Sequence, residues 1–288
     1  MTSAEKALRI ITADNPSPFT GPGTNTFLLG RERIAVIDPG PDLAAHRRAI
    51  LAAAGPGRIS HIFVTHAHLD HSGGARALAQ ATGAPILGFG PAESGRSAVM
   101  ERLAREGAID GGEGLDRDFA PDIALADGAA VETDEWRLTA LHTPGHFAGH
   151  LAFRQDETIF CGDVVMGWSS TIISPPDGDL ADYFRSLSRL DSAGARVLLP
   201  AHGDAVRDPA ARLAELAAHR RERTVQILAA LRDGPATAEA LARRIYRIPP
   251  AMIPAAMRNV LAHLIALSEL GAVSTPGPIG SDSVFSAH

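Results

Sequence analysis

The chain has 288 residues, 45% of them apolar, with 33 acidic and 27 basic side chains and a formal net charge of −6. That composition supports one large domain, or one large and one small, and excludes bulk disorder. The single cysteine, Cys161, excludes an internal disulfide.

The first residues, "MTSAEKALRIITADNPSP", lack the basic-then-apolar order of a secretory signal, and no run of 18 apolar residues occurs. The expectation is a soluble cytoplasmic protein with no membrane contact. Lys6 is the only lysine, a matter of composition and not of function. Charge is unevenly spread. Residues 1–210 carry 18 basic and 27 acidic groups, and residues 211–288 carry 9 and 6. That shift from −9 to +3 suggests two units with different surfaces.

The N-terminal two-thirds alternates strands and helices. "TNTFLLG" and "RIAVIDPG" read as strands around a turn at Gly30–Glu32. "LAAHRRAILAAAG" reads as a helix stopped by Gly55. "ISHIFVTH" is a strand, "SGGARALAQATG" a helix ending near Gly83, and "APILGF" a strand. Residues 106–122 form an acidic, glycine-rich loop placed to cover part of a site. "AVETDEWRLTALHTPG" suggests a hairpin and "HLAFRQDETIFCGDVV" a strand–turn–strand. "DLADYFRSLSRLDSAG" is a helix with Asp179 as N-cap, and "ARVLLPAHG" a last buried strand. The alternation predicts an α/β layered domain over residues 1–210. Beyond it come "PAARLAELAAHRRERTVQILAALRDG", "TAEALARRIY" and "PAAMRNVLAHLIALSELG", then "AVSTPG" and "SVFSA". Three helices and a small hairpin predict a winged-helix unit over residues 211–288.

Metal-competent side chains recur where apolar strands end. His66 follows "IFVT", His146 follows "LTALHTPG", Asp163 follows "IFCG" and His202 follows "VLLPA". Strand ends opening into loops are where α/β domains build sites. Neutral imidazole and carboxylate suit zinc, iron or manganese. In "FVTHAHLDHSGG", side chains two apart can point the same way, so spacing alone would converge His66, His68 and Asp70. His71 would then turn away at a helix start and reach a second metal. Gly73 and Gly74 let that first helical turn approach its neighbours.

"THAHLDH" matches the HxHxDH signature of the metallo-β-lactamase superfamily. The "IDPG" strand at Asp38, "TPGH" with His146, "GD" with Asp163 and "PAHG" with His202 match its further motifs. The resemblance implies an αββα sandwich with a dinuclear site between the sheets. It implies His66, His68 and His146 on one metal, Asp70, His71 and His202 on the other, and Asp163 bridging. Two divalent ions, two carboxylates and a bridging hydroxide would leave a net charge of about +1, which favours a substrate oxyanion. Asp70 is the catalytic candidate, orienting the nucleophile or taking its proton. Asp38, His142 and His150 are candidates to support the ligands, and His150 to donate to substrate. Cys161 reads as a buried strand thiol, and Phe19 and Trp168 as packing or pocket wall.

"NPSPFTGPGTNTFLLG" together with the C-terminal unit resembles the lactamase-like proteins with a C-terminal winged helix, which include a mitochondrial ribonuclease of animals. Ala201 departs from the glycine common in relatives. The resemblance implies a hydrolase with two divalent ions, zinc foremost and iron or manganese as alternatives. Its substrate would be a small ester, thioester or lactone, or a phosphodiester such as single-stranded RNA. True β-lactam turnover is disfavoured by the C-terminal unit. A mononuclear-iron oxidoreductase of the persulfide dioxygenase type is the alternative from another class; flavodiiron chemistry is not, because His68 stands where that branch has glutamate. Arg243, Arg244, Arg247 and Arg258 could form a basic nucleic-acid face, but a wall packed at the active-site entrance is the preferred role. A homodimer would be unsurprising.

Overall fold

Two sheets face each other across an apolar layer. The computed structural model describes residues 8–109, 111 and 114–288. The first sheet holds β1 (Leu8–Thr12), β2 (Asn25–Leu29), β3 (Arg33–Ile37), β4 (Arg58–Phe63), β5 (Ile86–Gly88) and β6 (Ile123–Ala124), in that order. The second runs β11-β10-β9-β8-β7, from β7 (Ala130–Glu132), β8 (Arg137–His142), β9 (Leu151–Gln155), β10 (Thr158–Gly162) and β11 (Val197–Pro200).

The two-residue period of a strand decides the layers. Phe27, Leu29, Ile37 and Phe63 of the first sheet meet Leu138, Leu151, Phe153 and Phe160 of the second. Phe27 meets Phe160, and Phe63 meets Phe153, each edge to face at 5.1 Å. The alternate residues, Leu28, Ile34, Val36 and Ile62, face outward against α1 (Ala44–Ala54) and α3 (Ala75–Thr82). On the second sheet Ala152, Ile159, Cys161 and Leu198 face outward against α5 (Leu180–Ser192). The result is the αββα sandwich that the resemblance implies. Asp179 caps α5 as expected, accepting from the N–H groups of Ala181 and Asp182.

One local reading needs amendment. Between α3 and β5 on one side and the acidic loop on the other, α4 (Ala98–Glu106) forms, capped by Ser97. The glycines and prolines before it hide it from a pattern search. Of the acidic loop, Asp110, Gly112 and Glu113 lie outside the described residues. Its described part lies across the histidine-rich segment: Leu69 N–H donates to Gly114 O, and Asp116 N–H to Ala67 O.

The C-terminal helices are α6 (Pro209–Leu231), α7 (Ala238–Ile245) and α8 (Ile253–Glu269). A small sheet of order β12-β14-β13 joins β12 (Ala236–Thr237), β13 (Val273–Ser274) and β14 (Val284–Ala287). Ile227, Leu231, Leu241, Val260, Leu264 and Phe285 form its core. At its other end α6 places Leu213 and Leu216 on the outer face of the second sheet. One stretch, 250–269, has a mean hydropathy of 1.3 and the length to cross a bilayer, but half of it is buried inside the fold. Its apolarity serves packing against α6 and α7. Of the basic candidates, Arg243 pairs with Glu239 at 2.6 Å and Arg244 with Asp233 at 3.5 Å.

His263, mid-α8, is fully buried. Its Nδ1–H donates to Thr224 Oγ1 at 2.9 Å, and that hydroxyl donates to Arg220 O. Burial, with Arg220 and Arg223 nearby, lowers its pKa from 6.5 to about 3. The unfolded chain therefore takes up a proton that the folded chain refuses. This contribution to stability is complete above pH 6.5 and is lost as pH falls toward 3. Between pH 7 and pH 5 it amounts to about 2 kcal/mol. In urea unfolding, the wild type should lose about that much more stability over this interval than His263→Leu. Equal losses would mean that His263 charges freely in the folded protein.

Candidate metal centre

Four strand ends converge at one edge of the sandwich. The segment after β4 brings Thr65, His66 and His68, and the β8–β9 loop brings His146. Asp163 follows β10 and His202 follows β11. Three donor groups form, each with all its atoms within 4.8 Å of one another: His66, His68 and His146; His66, His71 and Asp163; and Asp70, His71 and His202.

The distances show how these groups join. His68 Nδ1 lies 2.8 Å from His66 Nε2 and 3.2 Å from His146 Nε2. Asp70 Oδ2 lies 3.2 Å from His202 Nε2 and 3.5 Å from His71 Nε2. Asp163 stands at the junction. Its Oδ1 is 3.4 Å from His202, and its Oδ2 is 3.5 Å from His71 and 3.7 Å from His146. Spacing alone places Asp70 with His66 and His68 and turns His71 away. The structure corrects this: the chain is already helical at α2 (Leu69–Ser72), so period-2 reasoning ends at His68. Asp70 and His71 share a donor group with His202, and His71 also stands with His66 and Asp163.

A layer of acceptors fixes the imidazoles. His71 Nδ1 donates to Asp38 Oδ2 at 3.0 Å, His146 Nδ1 to Ile172 O at 2.6 Å, and His202 Nδ1 to Gly23 O at 3.2 Å. Thr65 Oγ1 donates to Asp38 Oδ2 and so must accept from His66 Nδ1. In each of these four rings Nδ1 is committed to its outer partner, so Nε2 is the nitrogen turned to the cluster. Asp38 also takes the Thr65 N–H, and holds φ at 50° to do so.

Of the two roles expected of His150, its contacts match support of a ligand and not donation to substrate. It is fully buried, with Nδ1 on Thr143 Oγ1 at 2.9 Å and Nε2 accepting the Asp163 N–H at 3.2 Å. Both nitrogens are used, so it does not donate to a substrate; it orients Asp163. His142 touches no donor of the cluster. Its Nε2 meets Ala148 O at 2.8 Å and its ring stacks on Phe89. Cys161 is a buried thiol facing Val165 O. Trp168 lies against Gly21 and Gly203 beside His202, at the rim, and Phe19 is exposed. Ala201 is fully buried and leaves His202 in place, as expected.

Thr65, Thr143 and Ile172 escape a sequence reading, since hydroxyls and a backbone carbonyl carry no metal signature. Gly162 enters the sequence reading only as part of a motif. At φ 49°, a Cβ there would sit 2.4 Å from His150 Nε2.

Electrostatically the centre has two halves. Burial, reinforced by neighbouring imidazoles, holds His66 well below the usual imidazole range and His68 down at about 3, and burial also lowers His146. Burial opposes charge on His71 and His202 too, but carboxylates outweigh it. Asp70, Asp163 and Asp38 raise His71 well above its ordinary value, and Asp163 and Asp70 push His202 up to about 10. Against their own burial, Asp70 and Asp163 are held low by His71 and His202.

The donors fit divalent ions. His71 Nε2 and Asp163 Oδ1 are buried with no hydrogen-bond partner. Ligands about 2.0–2.2 Å from a tetrahedral ion stand about 3.3–3.6 Å apart, close to most of the separations here. Asp70, with its side chain 29% exposed, is the open side of the cluster.

The profile of the metallo-beta-lactamase superfamily matches residues 19–202, and that of the beta-lactamase associated winged helix domain matches residues 237–278. An atrochrysone carboxyl ACP thioesterase of Aspergillus chevalieri is 31% identical over 229 residues, 77% of this chain. The chain spans 65% of that relative's length. A beta-lactamase-like protein 2 homolog of Caenorhabditis elegans is 29% identical over 278 residues, 94% of this chain and 87% of its own. A crystal structure of a metallo-beta-lactamase family protein from Thermus thermophilus superposes with TM-score 0.79 at 29% identity, covering 98% of this chain and 99% of that one.

Gly162→Ala should cost about 1–2 kcal/mol in backbone strain and also push His150 off the Asp163 N–H. Bound metal per chain should drop below wild type. Gly83→Ala, at φ 72° with nothing within 4 Å of the added carbon, carries the strain alone and should keep its metal. Equal metal content in the two variants would break the link from Gly162 through His150 to Asp163.

Proposed function

The chain belongs to the metallo-beta-lactamase superfamily; from this premise we propose that it is a hydrolase of that fold and works with two divalent ions. His66, His68 and His146 would hold one ion, and Asp70, His71 and His202 the other, with Asp163 shared. The position of Asp163 between the two donor groups is the observation that carries the reading. Zinc is the first choice among the divalent ions, with iron and manganese as alternatives, because five imidazoles dominate the donor set. Two such ions would acidify a shared water to a pKa of about 7 and polarise the substrate oxygen.

The protein's own residues do the rest. Asp70, the exposed carboxylate of the cluster, orients the nucleophile and receives its proton. Asp38 and His150 hold His71 and Asp163 in position. Burial of the His66 and His146 side excludes water from that face.

An acyl substrate, a thioester first, has the support of the named thioesterase relative. Esters, lactones and the phosphodiester of single-stranded RNA are attacked in the same way and form the other arms of the test. The paired basic face on α7 gives RNA little help.

Metal-loaded protein should contain about two zinc per chain and turn over a thioester or lactone faster than nitrocefin or a labelled single-stranded RNA. Asp70→Asn should lose at least about 100-fold in turnover while its far-ultraviolet dichroism stays wild type. Unchanged turnover would remove Asp70 from its role. One iron per chain with oxygen consumption would move the protein to persulfide-dioxygenase chemistry.

A further inference from the structure

Arg220 on α6 is fully buried, and among the described residues it makes no ion pair. One Nη donates to Asn259 Oδ1 at 2.9 Å, the other to Thr171 O, and Tyr183 lies under the guanidinium at 5.6 Å. Its Nε has no partner. A buried cation without a counter-ion opposes stability, so packing alone gives no account of it. Asn259, on α8, uses the same Oδ1 to accept the Ile173 N–H at 3.0 Å. The two side chains thus grip a three-residue segment at both ends, Thr171 by its carbonyl and Ile173 by its amide.

Between those two points lies the Ile172 carbonyl, which accepts from His146 Nδ1, and Thr171 Oγ1 lies 3.0 Å from the same nitrogen. The other side of His146 is closed by α5. Gly145, at φ 135°, packs so tightly that a Cβ would stand 2.4 Å from Tyr183 Cα, and Ser186 Oγ donates to Pro144 O. The rotation of the His146 ring is therefore set from the Thr171–Ile173 side.

We infer that Arg220 and Asn259, both from the C-terminal helices, are positioning residues for His146, acting through Thr171–Ile173 to hold its Nε2 toward His68 and Asp163. This rests on the reading of His146 as a metal donor. It gives the C-terminal unit a part in the metal centre without contact with substrate.

The test uses the full chain with Asn259→Leu, which removes the shared acceptor, and Asn259→Asp, which keeps it. In metal-free protein labelled with 15N-histidine, the His146 Nδ1–H signal is identified by its loss in His146→Gln. That proton should exchange with solvent at least about tenfold faster in Asn259→Leu and at the wild-type rate in Asn259→Asp. In cobalt titrations followed by visible absorption, one of the two ions should bind about 10–100-fold more weakly to Asn259→Leu, and neither to Asn259→Asp. If Asn259→Leu does not fold, Asn259→Ser, whose hydroxyl is too short to bridge, meets the same criteria. Wild-type exchange and wild-type affinities in a folded Asn259→Leu or Asn259→Ser would overturn the inference. A wild type that takes up fewer than two ions would instead overturn the two-ion reading, and the exchange of the His146 proton would still decide the positioning role.

Discussion

Five imidazoles and two carboxylates meet in one largely buried place, and desolvation is the constraint on which the rest depends. Each ring brought out of water needs partners for its nitrogens, and a ring that is to hold an ion must keep one of them for it. Asp38, Thr65, Ile172 O and Gly23 O supply that satisfaction for four of the rings. Three of these acceptors lie far in the chain from the histidine they hold. Asp38 comes from the end of β3 and Gly23 from the segment before β2, whereas His71 follows β4 and His202 follows β11. The ligand geometry is thus a property of the assembled sandwich and not of any one motif.

That explains why the layers are built as they are. The interlocked aromatics tie β2 to β10 and β4 to β9 across the sandwich, the layer from whose edge His66 and Asp163 emerge. Glycine appears where the ends crowd. Gly162 admits His150, Gly145 admits α5, and Gly74 lets the first turn after His71 approach the carbonyls of Pro39–Pro41. A Cβ at any of the three would displace an element that holds a donor.

Much of this is legible in the sequence, for identifiable reasons. The short apolar runs in "TFLLG" and "HLAFRQ" mark the strands, and the donor types at strand ends mark the cluster. Spacing fails where the backbone changes period, which is why it groups Asp70 with the wrong histidines. It also fails for His142 and His150, equally placed on either side of His146. Only the fold separates a ring stacked on Phe89 from one that takes the Asp163 N–H. Helix α4 escapes because its apolar face is short and follows a glycine-rich stretch. Arg220 carries no signal at all, since an arginine in an amphipathic helix reads as solvated.

Arg220 also changes the meaning of the charge count. The net +3 of residues 211–288 raises a polyanion surface as a possibility. Several of those arginines serve internal purposes. Arg212 donates to the carbonyls of Met166 and Ser169, and Arg220, eight residues on, to Thr171 O. Repeated four-residue spacing keeps the two on one side of α6, facing the same segment of the catalytic layer. Arg223 lies 4.1 Å from the centre of the Tyr246 ring, and Arg243 and Arg244 are ion-paired. Side chains committed to carbonyls, rings and carboxylates contribute little field at the surface, so the formal charge of this unit overstates its attraction for phosphate. Arg212 and Arg220 of α6 are better understood as the joint between the small unit and the segment that meets His146.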